Sequence, residues 1–452
     1  MALKQMDALA ALREAAGEVI ETSLCDVQGN WLALVNAEEG KRLAFAAKGE
    51  AALSALWKDV EKEADVKDVH VSVMALNANN AALVRRYVKW TAPTACGTKG
   101  ASIGFSDWLG EADAVVAELF GKRQLKPVLV DFTTEDSEAL QRYFVQAVDT
   151  ATWGVLEEGY KEGYGANAAG LKTEEEIVKA LLYGYSMIGF DCSDKIDLGI
   201  EKLSDEAVDK RFEQFNETFR AALHASYLNA EFKVGTSKIT FTENQLHRIV
   251  LEYGEAIMHI QFIYNSYLKN TPWDIDFELD LSKPGKVLTP QEHYLIGNEL
   301  QRNGIKLSSI CLDPLKDSEA VNDNLQLHCE IADTFGYRLS FKNADIAMND
   351  TAAAMKYLKG KVHFKMNNIL WMSAIELVKA LDADLFGKLC AACGCEATAD
   401  AADRVLVLGY RKALNPKEES NVAADMKAFL EAHHAEYAAA IKENVAAKLK
   451  NI

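Results

Sequence analysis

Three stretches set polar or ionisable side chains two residues apart. In WDIDFELDLS (273–282), Asp274, Asp276, Glu278 and Asp280 share one parity, and Ile275, Phe277, Leu279 and Leu281 share the other. A β-strand sends successive side chains to opposite faces, so an extended chain lines four carboxylates along one face. LSFK (339–342) and VHFK (362–365) repeat the pattern, with Ser340 and Lys342, then His363 and Lys365, opposite the phenylalanines. Carboxylates, an imidazole and ammonium groups gathered at strand ends can move protons or hold an anion. A lysine whose pKa a neighbouring cation depresses can instead attack a carbonyl and form a Schiff base, which makes Lys342 and Lys365 candidate nucleophiles of a carbon–carbon lyase. The plainer readings are an exposed antiparallel strand with a solvated acidic face, and surface lysines whose stems cover apolar neighbours.

Other chemistry-bearing groups give weaker signals. Cys390, Cys393 and Cys395 (CAACGC) lack the second pair or nearby histidine that would complete a zinc site, so a small-residue loop closing a helix is expected. The remaining cysteines are far apart and read as reduced thiols. His247 and His259 lie twelve residues apart, on different sides of one helix, and no histidine pair with ligand spacing is apparent. His433 and His434 read as surface residues. The glycines of GVLEEGYKEGYG (154–165) lack the Gly-Lys-Ser/Thr end of a phosphate loop, and no Gly-x-Ser-x-Gly elbow or dinucleotide fingerprint occurs.

The elements that must position these residues suggest a barrel. From 101 onward apolar strands alternate with helices: ASIGFSD (101–107), KPVLVDF (126–132), YSMIGFD (185–191), the acidic stretch, IKLSSICL (305–312), YRLSFKN (337–343) and KVHFKMN (361–367). KITF (238–241), before the long helix 243–268, offers an eighth strand. Helix 289–304 opens on Thr289 and Pro290, a cap and a first-turn proline. The pattern predicts an α/β fold, a (β/α)8 TIM-type barrel, with a doubly wound open sheet as the alternative. We divide the chain into an N-terminal α+β extension (1–95), the barrel (96–415) and a C-terminal segment (416–452). The extension should contain strand 31–35, helix 51–64 and strand 69–76. The C-terminal amphipathic helix should pack on the barrel or on a sister subunit, the latter making a homo-oligomer. In a barrel, Glu278, Asp280 and Ser282 would line the mouth, and Asp274 and Asp276 would lie in solvent at the opposite end, because buried like charges repel.

Bulk properties exclude some classes. The 452 residues are 49% hydrophobic and 26% charged, with a net charge of −18. Such a charge disfavours nucleic-acid or membrane-surface binding, which needs basic faces. No stretch is apolar enough to span a membrane, and the N-terminal segment, with Asp7 and Glu14, is unlike a leader peptide, so a cytoplasmic location is expected. A small anionic ligand is compatible with a few cations in a cleft.

Several ordered segments resemble the tagaturonate/fructuronate epimerases of bacterial hexuronate catabolism. They are RRYVKWTAPTACGTKGASIGFSDWLG (85–110), EEGYKEGYGANAAGLKT (157–173), FDCSDKID (190–197), KITFTENQLHRIVLEYGEAIMHI (238–260), LTPQEHYLIGNELQRNGIK (288–306) and KVHFK (361–365). The resemblance implies a barrel related to metal-dependent aldolases, which epimerises a ketohexuronate at a carbon β to the ketone by retro-aldol-like cleavage and re-addition. It also implies a divalent metal (Mn, Zn or Ni) where the family site is retained, and none otherwise. His363 and Asp191 would be its ligands here, and Asp107, Glu278, Asp280, Lys342 and Lys365 the catalytic candidates. The chain departs from the family pattern at strand ends. Trp108 stands for an arginine, and Ser282 and Lys283 stand for an Asp-Glu pair. Lys342 and Lys195 each stand for a histidine, and Met366, Asn367 and Asn368 stand for Thr-Ala-Gly. Three readings follow: an epimerase with a rearranged site, a binding or regulatory protein that keeps the barrel, or the Schiff-base lyase.

Overall fold

The structure is a computed structural model that describes residues 2–38, 40–49, 54–121, 125–281, 288–315, 323–348, 351–450 and 452. Eight parallel strands close into a barrel: β6 (Ser102–Phe105), β7 (Lys126–Thr133), β8 (Gly165–Leu171), β9 (Met187–Asp191), β12 (Asp276–Asp280), β13 (Ser309–Leu312), β14 (Arg338–Phe341) and β15 (Val362–Met366). Five further strands precede it: β1 (Glu18–Val27), β2 (Asn30–Ala37), β3 (Gly40–Lys48), β4 (Val60–Val66) and β5 (Val69–Met74). They form an antiparallel sheet in the order β1-β2-β3-β5-β4. Helix Gln5–Ala16 covers one face of that sheet. The other face packs on helix Ala78–Tyr87 and, through Leu156 and Trp153, on barrel helix Phe144–Glu158.

The barrel and the N-terminal extension are as expected, with corrections in the details. KITF is not a barrel strand: Ser237–Ile239 is β11, which pairs only with β10 (Phe232–Val234) in a hairpin. The eighth barrel strand is β8, GANAAGL, whose alanines and glycines carry no β-propensity signal. Its small side chains suit the site. A Cβ on Gly189 of the neighbouring β9 would meet the Ala169 Cα at 3.0 Å, so these two strands approach closely only without larger groups. The helix expected over 51–64 is replaced by β4, an exposed edge strand held by pairing with β5, which overrides the helical preference of Glu, Lys and Ala. Residues 51–53 of that span lie outside the described residues. The C-terminal amphipathic segment is two helices, Ala423–Ala432 and His434–Leu449, and the second packs on the barrel through Tyr437, Ile441 and Val445. The Tyr437 hydroxyl donates to the Leu370 carbonyl at 3.1 Å.

Helix Pro290–Arg302 begins with the expected cap: the Thr289 hydroxyl accepts from the Glu292 N–H, and the Glu292 carboxylate accepts from the Thr289 N–H. The CAACGC segment ends helix Ala383–Cys393, with Gly394 at φ 84° donating its N–H to the Cys390 carbonyl. Among the described residues no helix is long and apolar enough to cross a membrane.

Candidate active site

Charged and polar side chains fill the barrel interior. On β12, Asp276, Glu278 and Asp280 all point inward and are buried, while Phe277 and Leu279 meet the helix layer. Asp276 is therefore not solvated as expected; only Asp274 is exposed. At the N-terminal end of the barrel, Asp276 accepts hydrogen bonds from the Cys96 N–H at 2.6 Å and the Gly97 N–H at 3.0 Å. Burial pushes its pKa up, and Arg338 and these two donors offset part of that rise. Repulsion within the acidic row is relieved because neighbouring strands contribute cations to the same interior.

At the middle of the barrel, Lys365 Nζ lies 2.5 Å from Glu278 Oε1 and 3.7 Å from Asp131 Oδ1. Ser309 donates to the other Glu278 oxygen at 2.8 Å, and Asn167 Nδ2 donates to Asp131 Oδ1 at 2.9 Å. Gly104 makes room for this carboxylate, since a Cβ there would stand 2.6 Å from Asp131 Oδ2. Burial raises Glu278 and lowers Lys365, but the opposite charges outweigh it. Glu278 is held below, and Lys365 above, its usual range. Asp131 goes the other way: burial outweighs Lys365 and raises it. Of the two carboxylates beside Lys365, Glu278 thus carries the charge more firmly.

His363 is fully buried, with Nδ1 2.9 Å from the Ser102 hydroxyl, which also accepts from Arg338 Nη1 at 2.7 Å. Its Nε2 faces Asp131 Oδ2 at 4.0 Å. Burial, then Lys365, pushes the imidazole down to about 3, so the ring is neutral at any ordinary pH.

At the C-terminal strand ends, Lys342 pairs with Asp280. The side chains are 20% and 10% exposed, so this pair is the more open one, against 2% for each of Lys365 and Glu278. Burial lowers Lys342, but Asp280 outweighs it and holds the ammonium well above its ordinary pKa. Their paired carboxylates favour the ammonium form of both lysines, which works against the free amine that a Schiff-base lyase needs.

The other predicted residues lie apart from this network. Asp107 accepts from the Gly110 N–H at 2.8 Å and the Ala112 N–H at 2.7 Å, which shapes the turn after β6. Asp191 is in register with Asp280 on the next strand, accepts from the Ser193 N–H at 2.8 Å and faces Lys172 Nζ at 3.7 Å. Trp108 turns away from the axis and stacks on Tyr410 at 3.3 Å. It borders a cleft of about 720 Å³ between the N-terminal extension, helix Ala423–Ala432 and the barrel, off the barrel axis. Ser282 and Lys283 lie outside the described residues.

The donor set does not fit the divalent metal that the resemblance implies. By the resemblance, Lys342 stands where a ligand histidine is expected, and the carboxylates of Asp280 and Glu278 are paired with internal ammonium groups. A divalent ion placed among them would be repelled at close range with little solvent screening. Among the described residues, no group of three metal-ligating side chains includes His363 or Asp191. The group that could hold an ion is His224, Glu243 and His247, outside the barrel. No histidine pair has ligand spacing in the sequence, but the fold brings His224 and His247, 23 residues apart, face to face beside Glu243, one helical turn before His247.

Sequence reasoning missed Asp131, Asn167 and Arg338. Arg338 shares the parity of Ser340 and Lys342 and was legible on that ground. Asp131 is the lone acid near the end of an apolar strand, and Asn167 sits in a strand without a sequence signal.

A family model described as tagaturonate epimerase matches residues 20–437. The tagaturonate/fructuronate epimerase of Thermotoga maritima is 27% identical over 383 residues, covering 82% of this chain and 78% of that protein. The glycerol-complexed crystal structure of fructuronate-tagaturonate epimerase from Cohnella laeviribosi superposes with a TM-score of 0.85 at 25% identity, covering 98% of each chain. The native crystal structure of that enzyme gives 0.84 at 26% identity.

Proposed function

The chain belongs to the tagaturonate epimerase family, and from that premise we propose that it interconverts ketohexuronates of the tagaturonate/fructuronate type with a lysine–carboxylate pair in place of a metal. The observation that carries this reading is the Lys342–Asp280 pair, an ammonium and a carboxylate side by side at the barrel's C-terminal face, where barrel enzymes keep their chemistry. The ketone oxygen would take the place of Asp280 as hydrogen-bond acceptor from Lys342. Asp280 would take the proton from the hydroxyl on the carbon β to the ketone. The bond from that carbon to the α-carbon breaks, and its electron pair forms an enolate whose oxygen Lys342 stabilises. The aldehyde fragment turns and re-adds through its other face, and Asp280 returns the proton. No atom is lost and nothing is oxidised.

The deeper groups would position rather than react. Glu278, Lys365 and Asp131 form a fixed array beneath the pair, with oriented charges that need no rearrangement as the enolate forms.

A positioned base contributes roughly 10²–10⁴ in rate and an oxyanion donor about 10²–10³. Asp280→Asn and Lys342→Gln should therefore each lower kcat for fructuronate–tagaturonate interconversion by at least about 10², with circular dichroism unchanged. Undiminished turnover in both variants would overturn the proposal. A second reading, a sugar-acid-binding protein without turnover, is favoured by the same pairing, since a carboxylate locked to an ammonium is a poor base until substrate separates them. Binding of fructuronate by the parent protein without conversion would select it.

A further inference from the structure

We propose that His224, Glu243 and His247 form a binding site for a borderline transition-metal ion such as Zn²⁺, with Asp209 as its outer-sphere acceptor, away from the barrel interior. The site joins three helices of the segment between β9 and β12: Asp205–Phe212, Glu217–Tyr227 and Glu243–Ile263. The two imidazole Nε2 atoms face each other at 2.9 Å, and Glu243 Oε1 lies 4.0 Å from that of His224. All three ligand atoms fall within 4.8 Å of one another.

Zinc bonds nitrogen at about 2.0–2.1 Å, so tetrahedral ligand atoms stand roughly 3.4 Å apart. The two separations at His224, 2.9 and 4.0 Å, straddle that value by about half an ångström, and a partly exposed histidine and an exposed glutamate can shift to close the set.

Tautomer and orientation favour the same conclusion. His247 Nδ1 lies 2.7 Å from Asp209 Oδ1, which fixes the proton on Nδ1 and leaves Nε2 as a lone pair aimed at the site. Metal-binding histidines commonly carry such a carboxylate behind the ring. Phe212 stacks on the His247 ring at 3.8 Å and lies parallel to that of His224 at 5.6 Å, which restricts both rings. Without an ion the facing nitrogens can share only one proton, supplied by His224. Two imidazoles and one carboxylate suit Zn²⁺, Ni²⁺ or Co²⁺ rather than Mg²⁺ or Ca²⁺, which prefer all-oxygen sites. His247 is buried, His224 is half-buried and Glu243 is exposed, so an ion can enter from the Glu243 side.

The test is a Zn²⁺ titration of chelator-stripped full-length protein by calorimetry, with Co²⁺ absorption as a second readout. The expected result is one ion per chain bound by the parent and lost in His224→Ala, a partly exposed position whose change should leave the fold intact by circular dichroism. Asp209→Asn should weaken binding by about 10- to 100-fold. Co²⁺ should give the visible bands of a tetrahedral site without a thiolate charge-transfer band. No bound ion in the parent would overturn the proposal. Equal binding in His224→Ala, or a thiolate band pointing to Cys390, Cys393 and Cys395, would do the same.

Discussion

At the residue scale, the interior of this barrel is a compensated charge array in which each member depends on its neighbours. Lys365 pairs with Glu278 and also faces Asp131 at a site with almost no solvent. Removing one partner of a buried pair leaves an unpaired charge and costs about 3–5 kcal/mol. Lys365→Met should therefore lower unfolding free energy by that amount in urea titrations at neutral pH, and a loss below about 1 kcal/mol would contradict the array. His363 gives an independent check through protonation. Its folded pKa is about 3, far below the ordinary value of 6.5. Between those values the unfolded chain binds the proton and the folded chain does not, so stability falls as pH is lowered through that window. The slope is about 1.4 kcal/mol per pH unit for one such group. His363→Asn should lose that slope between pH 6 and 4, whatever its offset in total stability. Parallel profiles for parent and variant would mean that His363 protonates freely in the folded state. The strand parity made His363, Lys365, Lys342 and Glu278 legible in advance. It could not reveal Asp131 or Asn167, because single polar residues in a strand carry no periodicity.

At the element scale, the site exists because small residues let charged strands approach. β6 carries Gly104 where β7 presents Asp131, and β8 and β9 meet at Gly189 and Ala169. Such residues weaken strand propensity, which is why β8 escaped a reading based on β-branched and aromatic runs. Conversely, KITF has the composition of a strand and forms only a hairpin arm, since composition says nothing about pairing partners. Gly104→Ala should push Asp131 from its position beside Lys365 and His363. A loss of about 1–3 kcal/mol is expected for such overpacking, read as a lowered urea midpoint with an unchanged m-value. An unchanged midpoint would show that β6 and β7 can separate without strain. Trp108 has a structural part: it joins Tyr410 in a stack that ties the β6 turn to the C-terminal region.

At the scale of the whole molecule, the barrel, the N-terminal sheet and the C-terminal helices keep the architecture of the family. The outward-facing Phe277, Leu279, Phe341 and Phe364 hold β12, β14 and β15 to the helix layer independently of what points inward. A chain with a net charge of −18 can still attract an anionic sugar acid when local cations dominate the field at the mouth. The central claim is that chemistry at this mouth runs on Lys342 and Asp280 without a metal. The most direct measurement is an NMR assay of chelator-stripped protein with D-fructuronate, run in excess chelator and again after adding Mn²⁺, Zn²⁺ or Ni²⁺. Equal rates of tagaturonate formation in all samples are the predicted result. Conversion that appears only after a metal is added would contradict the claim, and so would no conversion in any sample.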